Sequence, residues 1–295
     1  MTEGEAKLLE GKILAQEMQA SIRSEAEAFR AKGLPAPKLV GLEIGDNPSA
    51  AWYLGQQEKL AAKLGILYEK IPSSALPDQK ALEEKIKRLN QDPNCHGIFI
   101  AMPLPAGFDA DRVLFLLDPK KDVEGIHPSS LGLMVLRRTK LVPPTAYAAF
   151  RLTERAAKLS GRPLRGMKAV IAGQSPIVGR PLNLLLGDQR VTTIVCHTGT
   201  SAEDLARFVS ESDIVIACAG KPGVIQGKWV RPGAIVIDVG TTEVNGKLVG
   251  DVEFEEAKKR AGFITPVPGG VGPLTVTMLM RNLIHAYQWQ NGLAG

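Results

Sequence analysis

The chain has 295 residues, long enough for two domains of ordinary size that each bury a hydrophobic core. Its composition, 44% hydrophobic and 23% charged, is that of a globular protein, and no apolar run approaches the roughly 18 residues of a membrane span. The net charge of +5 comes without a lysine- and arginine-rich run interleaved with aromatic residues, which argues against a nucleic-acid partner.

The cysteines and histidines predict neither a disulfide nor a metal site. Cys95, Cys196 and Cys218 are far apart, and two of them lie in apolar runs, which favours buried reduced thiols. The four histidines share no ligand spacing with the cysteines or with each other. The first seven residues are polar and mixed in charge, unlike a signal or transit peptide, so we expect a cytoplasmic protein.

Helical and strand-like segments alternate along the first half of the chain, a pattern typical of an α/β protein with mostly parallel sheets. The predicted elements are a helix at 12–30, a strand at 38–44, a helix at 50–64, a strand at 66–71, a helix at 78–90, a strand at 97–102 and a helix at 109–117. The prolines of Pro103-Leu104-Pro105 end the strand at 97–102.

The composition shifts around Val142-Pro143-Pro144-Thr145, where we place a domain junction. A helix at 147–159 and the linker 160–163 follow, and strands are predicted at 168–172, 192–196, 214–217, 235–239 and 263–264. We predict a first domain of residues 1–145, joined by the last helix (274–295), and a second domain of residues 146–273.

The strand at 168–172 runs into a glycine turn, Gly173-Gln174-Ser175-Pro176-Ile177-Val178-Gly179. Glycine lets the backbone approach a pyrophosphate, whose charge then meets the N-terminus of the following helix. The spacing is G-x-S-x-x-x-G and not G-x-G-x-x-G, so an ordinary strand-to-helix turn is the alternative interpretation. The position of the turn, at the start of a run of strand–helix units, favours a dinucleotide site.

The end of the next strand bears on the type of dinucleotide. An NAD site usually carries an acidic residue there, about 20 residues after the glycines, to bind the ribose hydroxyls. This chain has Cys196-His197-Thr198-Gly199-Thr200 and no carboxylate, which permits NADP. The hydroxyls of Ser175, Thr198 and Thr200, with His197, are candidates for binding the additional phosphate.

Residues 264–275 read I-T-P-V-P-G-G-V-G-P-L-T, with three prolines and three glycines in ten residues. Such a segment is predicted to be neither strand nor helix interior, because proline removes a hydrogen-bond donor and glycine adds backbone entropy. A stiff loop with few side chains allows a flat ligand to lie against the backbone. The alternative is a rigid turn before an amphipathic helix at 276–290.

These motifs resemble the methylenetetrahydrofolate dehydrogenase/cyclohydrolase family, from about Leu9 to the last helix. The resemblance rests on T-P-V-P-G-G-V-G-P-x-T, on G-x-S-x-I-V-G-x-P and on V-I-D-V-G at 236–240. It implies an N-terminal α/β catalytic domain, a Rossmann-like doubly wound dinucleotide-binding domain, a cleft between them, and a homodimer that acts on tetrahydrofolate derivatives.

The resemblance also implies roles for individual residues. NADP, with NAD as the alternative, is expected to contact Gly173, Gln174, Ser175, Ile177, Val178, Gly179, His197, Thr198 and Thr241. The substrate is expected to contact Tyr53, Glu124, Pro268, Gly269 and Gly270, in a cleft walled by 45–48, the helix that follows, 103–105 and 121–125.

Three of the four polar residues that define the family's reaction site are changed here. The family pattern Y-x-x-x-K is retained at Tyr53 but has Gln57 in place of lysine. Ala101 stands where the family has glutamine, and Glu124 where K-D-V-D-G has its second aspartate. Without the resemblance, an ordinary half-buried tyrosine and a ligand-stacking one are equally good interpretations of Tyr53, and Glu124 would be interpreted as a surface carboxylate.

The changes separate two chemical steps. Oxidation of a methylene bridge needs mainly positioning, whereas hydrolysis of the methenyl product needs a group that exchanges protons. Glutamine has no such proton near neutral pH. We therefore expect a dehydrogenase with weak or absent cyclohydrolase activity. The alternatives are a bifunctional enzyme, in which Glu124 or an ordered water replaces the lysine, and a non-catalytic folate-binding paralogue.

Overall fold

The computed structural model describes residues 5–293. The first half contains β1 (Lys7–Leu8), α1 (Gly11–Ala31), β2 (Lys38–Leu42), α2 (Pro48–Leu64), β3 (Leu67–Ile71), a 3₁₀ turn (Ser73–Ala75), α3 (Gln79–Gln91), β4 (Gly97–Ile100), α4 (Ala110–Leu116) and α5 (Pro128–Val135). The second half contains α6 (Pro144–Ser160), β5 (Lys168–Ala172), α7 (Gly179–Asp188), β6 (Thr192–Cys196), α8 (Ala202–Glu211), β7 (Ile214–Ala217), a 3₁₀ turn (Gly227–Trp229), β8 (Ile235–Asp238), β9 (Thr242–Val244), β10 (Lys247–Val249), α9 (Phe254–Lys258), β11 (Phe263–Ile264) and α10 (Val271–Gln290).

The described chain divides into two compact α/β units. One contains 5–16 with Thr145–Thr275, and the other contains Glu17–Pro144 with 276–293. Each unit has its own parallel sheet, which confirms the predicted α/β class and the Rossmann-like second sheet. No helix in the described part of the chain is long and apolar enough to cross a membrane.

The unit of Glu17–Pro144 and 276–293 is built on a three-stranded parallel sheet in the order β3-β2-β4. Side chains alternate across β2: Leu39 packs in one core cluster with Leu54 of α2 and Leu283 of α10. Val40 and Leu42 pack in the cluster on the other face, against α3 and α4. The sheet is therefore covered on both faces, as parallel sheets require.

The other unit contains a six-stranded parallel sheet in the order β1-β11-β8-β7-β5-β6. Chain order reverses at β5, because β6 lies on one side of it and β7 on the other. In open α/β sheets, ligands bind outside the carboxyl ends of the strands at such a switch point. The turns after β5, β6, β7, β8 and β11 all leave this edge of the sheet.

The structure differs from the predicted elements in a few places. Helix α10 begins at Val271 and not at 276, because Pro273 lies in the first helical turn, where its missing N–H has no intrahelical partner to lose. The helix ends at Gln290, where the amphipathic pattern predicts its end; residues 294 and 295 of the predicted segment 274–295 lie outside the described residues. Strand β1 was not predicted, and its pairing with β11 joins the N-terminal residues to the six-stranded sheet.

Candidate active site

The glycine turn after β5 has the geometry of a phosphate-binding cradle. Gly173 has φ +126°, and a Cβ there would collide with the carbonyl oxygen of Cys218. A Cβ at Gly179 would likewise collide with the carbonyl of Gly173. Only glycine fits either position, so the turn brings bare backbone to the start of α7.

The N-terminus of α7 fits an anionic group. Its N-cap residue, Val178, makes no side-chain capping hydrogen bond, and the first turn contains no acidic residue. A helix start of this kind offers N–H groups and a positive dipole end to a phosphate. Gln174 and Ile177 are exposed beside it and Ser175 is half-buried, whereas the Val178 side chain is buried.

The turn after β6 is held by its own polar groups. The Nδ1 atom of His197 accepts a hydrogen bond from the Gly199 N–H at 3.0 Å, and the Thr200 hydroxyl accepts from the His197 N–H at 3.1 Å. Because Nδ1 is an acceptor, the neutral ring carries its proton on Nε2. His197 and Thr198 are exposed, so this turn presents an N–H and a hydroxyl but no carboxylate.

Two buried aspartates, which the sequence analysis did not single out, fix the turns after β7 and β8. Asp238 accepts hydrogen bonds from the backbone N–H groups of Gly240, Asp251 and Val252 at 2.9–3.0 Å. Asp251 accepts from those of Ala219 and Gly220 at 2.7 and 2.8 Å. Burial raises the pKa of Asp238 to about 6. This network places the exposed Thr241 at the end of β8.

The loop after β11 is anchored to the same network. The Thr265 hydroxyl accepts a hydrogen bond from the Asp238 N–H at 2.7 Å. The Gly269 carbonyl accepts from the Gly11 N–H at 3.0 Å, and Gly269 has φ +110°. The Val267–Pro268 peptide is cis, Pro268 is exposed and Gly270 is buried. The predicted backbone surface is thus present at Pro268 and Gly269.

In the three-stranded unit, α2 carries two of the predicted reaction-site residues. Asn47 caps this helix by accepting hydrogen bonds from the N–H groups of Ser49 and Ala50. Tyr53 and Gln57 are one turn apart and therefore share a face. The half-buried ring of Tyr53 lies 5.5 Å from that of Phe99. Burial, with the nearby charge of Glu124, raises the pKa of Tyr53, so its hydroxyl stays neutral.

Gln57 is completely buried and only half satisfied. Its Oε1 accepts a hydrogen bond from the Tyr68 hydroxyl at 3.1 Å, while its Nε2 has no partner. Ala101, at the end of β4, is 3% exposed and packs in the same core cluster as Tyr53. Tyr53 and Ala101 thus pack in one core cluster, Gln57 shares the Tyr53 face of α2, and Tyr68 is a neighbour that sequence analysis missed.

The loop with Glu124 is held rigidly in place. Asp122 is buried, and its Oδ2 accepts hydrogen bonds from the His127 N–H at 2.7 Å and the Ser130 hydroxyl at 3.2 Å. Gly125 has φ +62° and lies against the Leu141 carbonyl, where a Cβ does not fit. Asn282 of α10 donates hydrogen bonds to two backbone carbonyls, that of residue 123 in this loop and that of residue 142.

Glu124 itself is an unusual carboxyl group. Its side chain keeps some solvent exposure, but protein atoms surround the carboxyl, and this burial raises its pKa to about 8. The charge of Asp122 acts in the same direction, and a backbone hydrogen bond with Ile100 opposes both. Glu124 therefore holds a proton at neutral pH and can release it when a hydrogen-bond donor approaches.

Lys121 carries the positive charge of the loop that contains Glu124, and its role is structural. Its ammonium donates hydrogen bonds to the carbonyls of Leu89 and Asp92, both at 2.7 Å, at the end of α3. A cation at a helix C-terminus satisfies the last carbonyls and the dipole. Lys121 therefore does not stand in for the lysine that Gln57 replaces.

A cavity of about 260 Å³ opens at the carboxyl edge of the three-stranded sheet. Residues from two of the four predicted cleft walls line it, together with the turn after β3: Gly45, Asp46, Ser73, Ser74, Leu76, Pro77, Pro105 and Phe108. Among residues 5–293, no group of three or more His, Cys, Asp or Glu side chains is placed to hold a metal ion.

Comparison with known proteins decides the family. Residues 9–124 match the catalytic domain of tetrahydrofolate dehydrogenase/cyclohydrolase, and residues 143–291 match its NAD(P)-binding domain. The chain belongs to the tetrahydrofolate dehydrogenase/cyclohydrolase family. The resemblance drawn from its motifs is confirmed.

Relatives of this family match the chain from end to end. The bifunctional protein FolD of Dechloromonas aromatica (strain RCB) is 40% identical over 289 residues, which are 98% of this chain and 99% of that protein. The FolD of Trypanosoma brucei, solved with NADP and an inhibitor, is 36% identical with a TM-score of 0.89, covering 97% of this chain and 98% of that one. The bifunctional enzyme of Thermoplasma acidophilum is 34% identical with a TM-score of 0.88, covering 97% and 100%.

Proposed function

We propose that this member of the family oxidises 5,10-methylenetetrahydrofolate to 5,10-methenyltetrahydrofolate with NADP. The observation that carries the proposal is Glu124, a rigidly held and largely buried carboxyl close enough to Tyr53 to raise its pKa. A carboxylate accepts two hydrogen bonds from the amino-pyrimidine edge of a pterin, and an aromatic ring beside it stacks on the pterin face.

The chain's residues support binding of a dinucleotide at the carboxyl edge of the six-stranded sheet. Gly173 and Gly179 leave room for a pyrophosphate at the start of α7, and Pro268 and Gly269 offer a flat backbone surface. When bound, the nicotinamide supplies the hydride acceptor. We propose NADP over NAD because the turn after β6 has donors and no carboxylate to repel a 2′-phosphate. The NADP bound to the Trypanosoma brucei relative supports this choice.

We further propose that hydrolysis of the methenyl product is slow in this chain. Gln57 has no exchangeable proton near neutral pH, its amide is hydrogen-bonded to Tyr68, and Lys121 is bound to α3. General acid–base assistance is worth about 10²–10⁴-fold. Without it, the cyclohydrolase rate falls toward that of the uncatalysed reaction, while the positioning needed for oxidation remains.

A bifunctional dehydrogenase/cyclohydrolase is the second candidate, and one observation favours it. Glu124 has a pKa of about 8, so this carboxyl gives and takes a proton near neutral pH, as a cyclohydrolase needs. The Dechloromonas and Thermoplasma relatives are both described as bifunctional. From the family resemblance, we also propose a cytoplasmic homodimer.

An absorbance assay separates the candidates. Purified protein is supplied with methylenetetrahydrofolate and either NADP or NAD, and the decay of methenyltetrahydrofolate is followed separately with and without protein. Oxidation with enzyme-independent methenyl decay supports the first candidate, and enzyme-dependent decay at a rate comparable to oxidation supports the second. The absence of both activities leaves a non-catalytic folate-binding protein. Gln57→Lys with Ala101→Gln is expected to restore hydrolysis if these side chains cause the deficit.

A further inference from the structure

The Gln57 amide shows an imbalance that needs a physical explanation. Its Oε1 accepts the hydrogen bond from Tyr68, but its buried Nε2 has no partner. Buried donors without an acceptor are rare in protein cores, because the donor loses its hydrogen bonds to water and gains none within the protein. Tyr53, on the same face of α2 one turn earlier, is half-buried, so this face of the helix is the part nearest to Gln57 that keeps some exposure.

We propose that Tyr68 is a positioning residue for the folate site: its hydroxyl holds the Gln57 amide so that Nε2 donates a hydrogen bond to the bound folate. This inference rests on the proposed folate site around Tyr53 and Glu124. The inference concerns the hydrogen-bonded pair of Tyr68 and Gln57. The family pattern Y-x-x-x-K has lysine at the position of Gln57 and therefore does not contain this pair.

A glycine in the neighbouring strand indicates that the contact between Tyr68 and Gln57 is a specific feature of the fold. Gly41 lies inside β2 on the face that carries Leu39, toward α2. Glycine weakens a strand interior, and Gly41 does not have a positive φ that would require it. A Cβ at this position would collide with the Tyr68 hydroxyl and lie 2.8 Å from Leu54 Cδ2. The missing side chain is therefore the space through which Tyr68 reaches Gln57.

The chemistry of Tyr68 suits a fixed donor. Burial raises the pKa of its phenol, with smaller contributions from the charges of Glu58 and Glu43, so the hydroxyl keeps its proton across the physiological range. A neutral hydroxyl that donates to Oε1 selects one of the two orientations of the amide, the one that directs Nε2 away from Tyr68. Fixing a side chain before binding lowers the entropy that the ligand must overcome.

The test compares two tyrosines that each donate one hydrogen bond within the same unit. Tyr68→Phe removes the bond to Gln57, and the matched control Tyr287→Phe removes a bond of 2.7 Å to the Pro35 carbonyl. Tetrahydrofolate binding is measured by anaerobic calorimetry and NADP binding separately. We expect Tyr68→Phe to weaken tetrahydrofolate binding by about threefold to tenfold, the effect of one neutral hydrogen bond, and to leave NADP binding unchanged.

A double-mutant cycle shows whether Tyr68 acts through Gln57. Gln57→Met keeps the size of the side chain, removes both polar groups of the amide, including the acceptor of the Tyr68 hydroxyl, and is expected to weaken tetrahydrofolate binding by about tenfold. In that background, Tyr68→Phe should have no further effect on folate binding. If Tyr68→Phe does not fold, Gln57→Met alone decides, because unchanged folate binding in that variant overturns the inference.

Three further results contradict the proposal. They are equal folate binding by Tyr68→Phe and Tyr287→Phe, a Tyr68→Phe effect that persists in Gln57→Met, and an equal loss of NADP and folate binding. The proposed function fails in a different way: wild-type protein then neither binds tetrahydrofolate nor oxidises methylenetetrahydrofolate, and the role of Tyr68 falls with it. Normal wild-type binding with an unaffected Tyr68→Phe variant rejects the positioning role alone.

Discussion

Glu124 should make folate binding depend on pH in a way that a family member with an ordinary carboxylate would not. The free protein holds a proton on this carboxyl up to a pKa of about 8, mainly because of burial. A pterin offers two N–H donors, and both are best accepted by the ionised carboxylate. Binding therefore requires Glu124 to lose its proton, and the cost of that loss falls as the pH rises toward 8.

The expected magnitude follows from the pKa. Below a pKa of about 8, each pH unit should weaken binding about tenfold, or 1.36 kcal/mol. Between about pH 9 and pH 6 the affinity for tetrahydrofolate should fall about 100-fold, which is about 2.7 kcal/mol. At pH 7 most of one proton should be released for each folate bound, since this carboxyl is largely protonated in the free protein.

Anaerobic calorimetry with tetrahydrofolate, in buffers of different ionisation enthalpy, measures both the change of affinity with pH and the number of protons released on binding. Glu124→Gln is the control: its binding should be weaker by about 1.5–3 kcal/mol at high pH and should not change with pH. Asp122→Asn should move the midpoint to lower pH, because the charge of Asp122 raises the pKa of Glu124. An affinity that is constant across this range, or that rises toward low pH, would refute the role of an ionised Glu124.

Three further outcomes are expected. Ser175→Asp should weaken dinucleotide binding in a calorimetric titration, because its charge repels phosphates at the start of α7, and unchanged affinity would remove the site assignment. Gly173→Ala should lose dinucleotide binding and lower Tm, since its Cβ meets the Cys218 carbonyl at a positive φ; a stable, fully binding variant would contradict this. Because the folded state binds the Glu124 proton more tightly than the unfolded state, this group's contribution to stability is complete below about pH 4.5 and is lost as pH rises through 8. In urea unfolding, Glu124→Gln should remove this pH-dependent fall in the free energy of unfolding, which is at most about 5 kcal/mol. A variant with the same pH profile as the wild type would contradict this expectation.

Except for β1, the strands of the six-stranded sheet were well predicted, and the reason is physical. Strands of a parallel sheet are buried on both faces, so they appear as short continuous apolar runs with sharp ends. The predicted limits of β5, β6, β7 and β11 agree with the structure. The hairpin β9–β10 was missed although its turn, Asn245-Gly246, has positive φ at both residues, and Asn-Gly between short strands is a known signal for such a turn.

The candidate sites were predicted less completely, because their supporting contacts join residues distant in sequence. Nothing local indicates that Tyr68 of β3 bonds to Gln57 of α2, or that Asn282 holds the loop of Glu124. The high pKa of Glu124 depends on burial and on Asp122, which the residue type alone does not show. Asp238 did carry a signal, since a charged residue at the end of an otherwise apolar strand requires partners.

The remaining unpaired polar atoms indicate how this chain divides stability and function. Among residues 5–293, three buried side-chain atoms have no hydrogen-bond partner: Gln57 Nε2, Asp122 Oδ1 and Asp251 Oδ1. Each costs about 1–3 kcal/mol, yet each belongs to one of the two proposed sites, beside Tyr53, in the loop of Glu124 or in the network that places Thr241. Random imperfections of packing would not concentrate there, whereas polar groups kept for a ligand would. Asp122 and Asp251 also accept backbone N–H groups through their other carboxylate oxygen, so an apolar residue in place of either should lower Tm as well as weaken ligand binding.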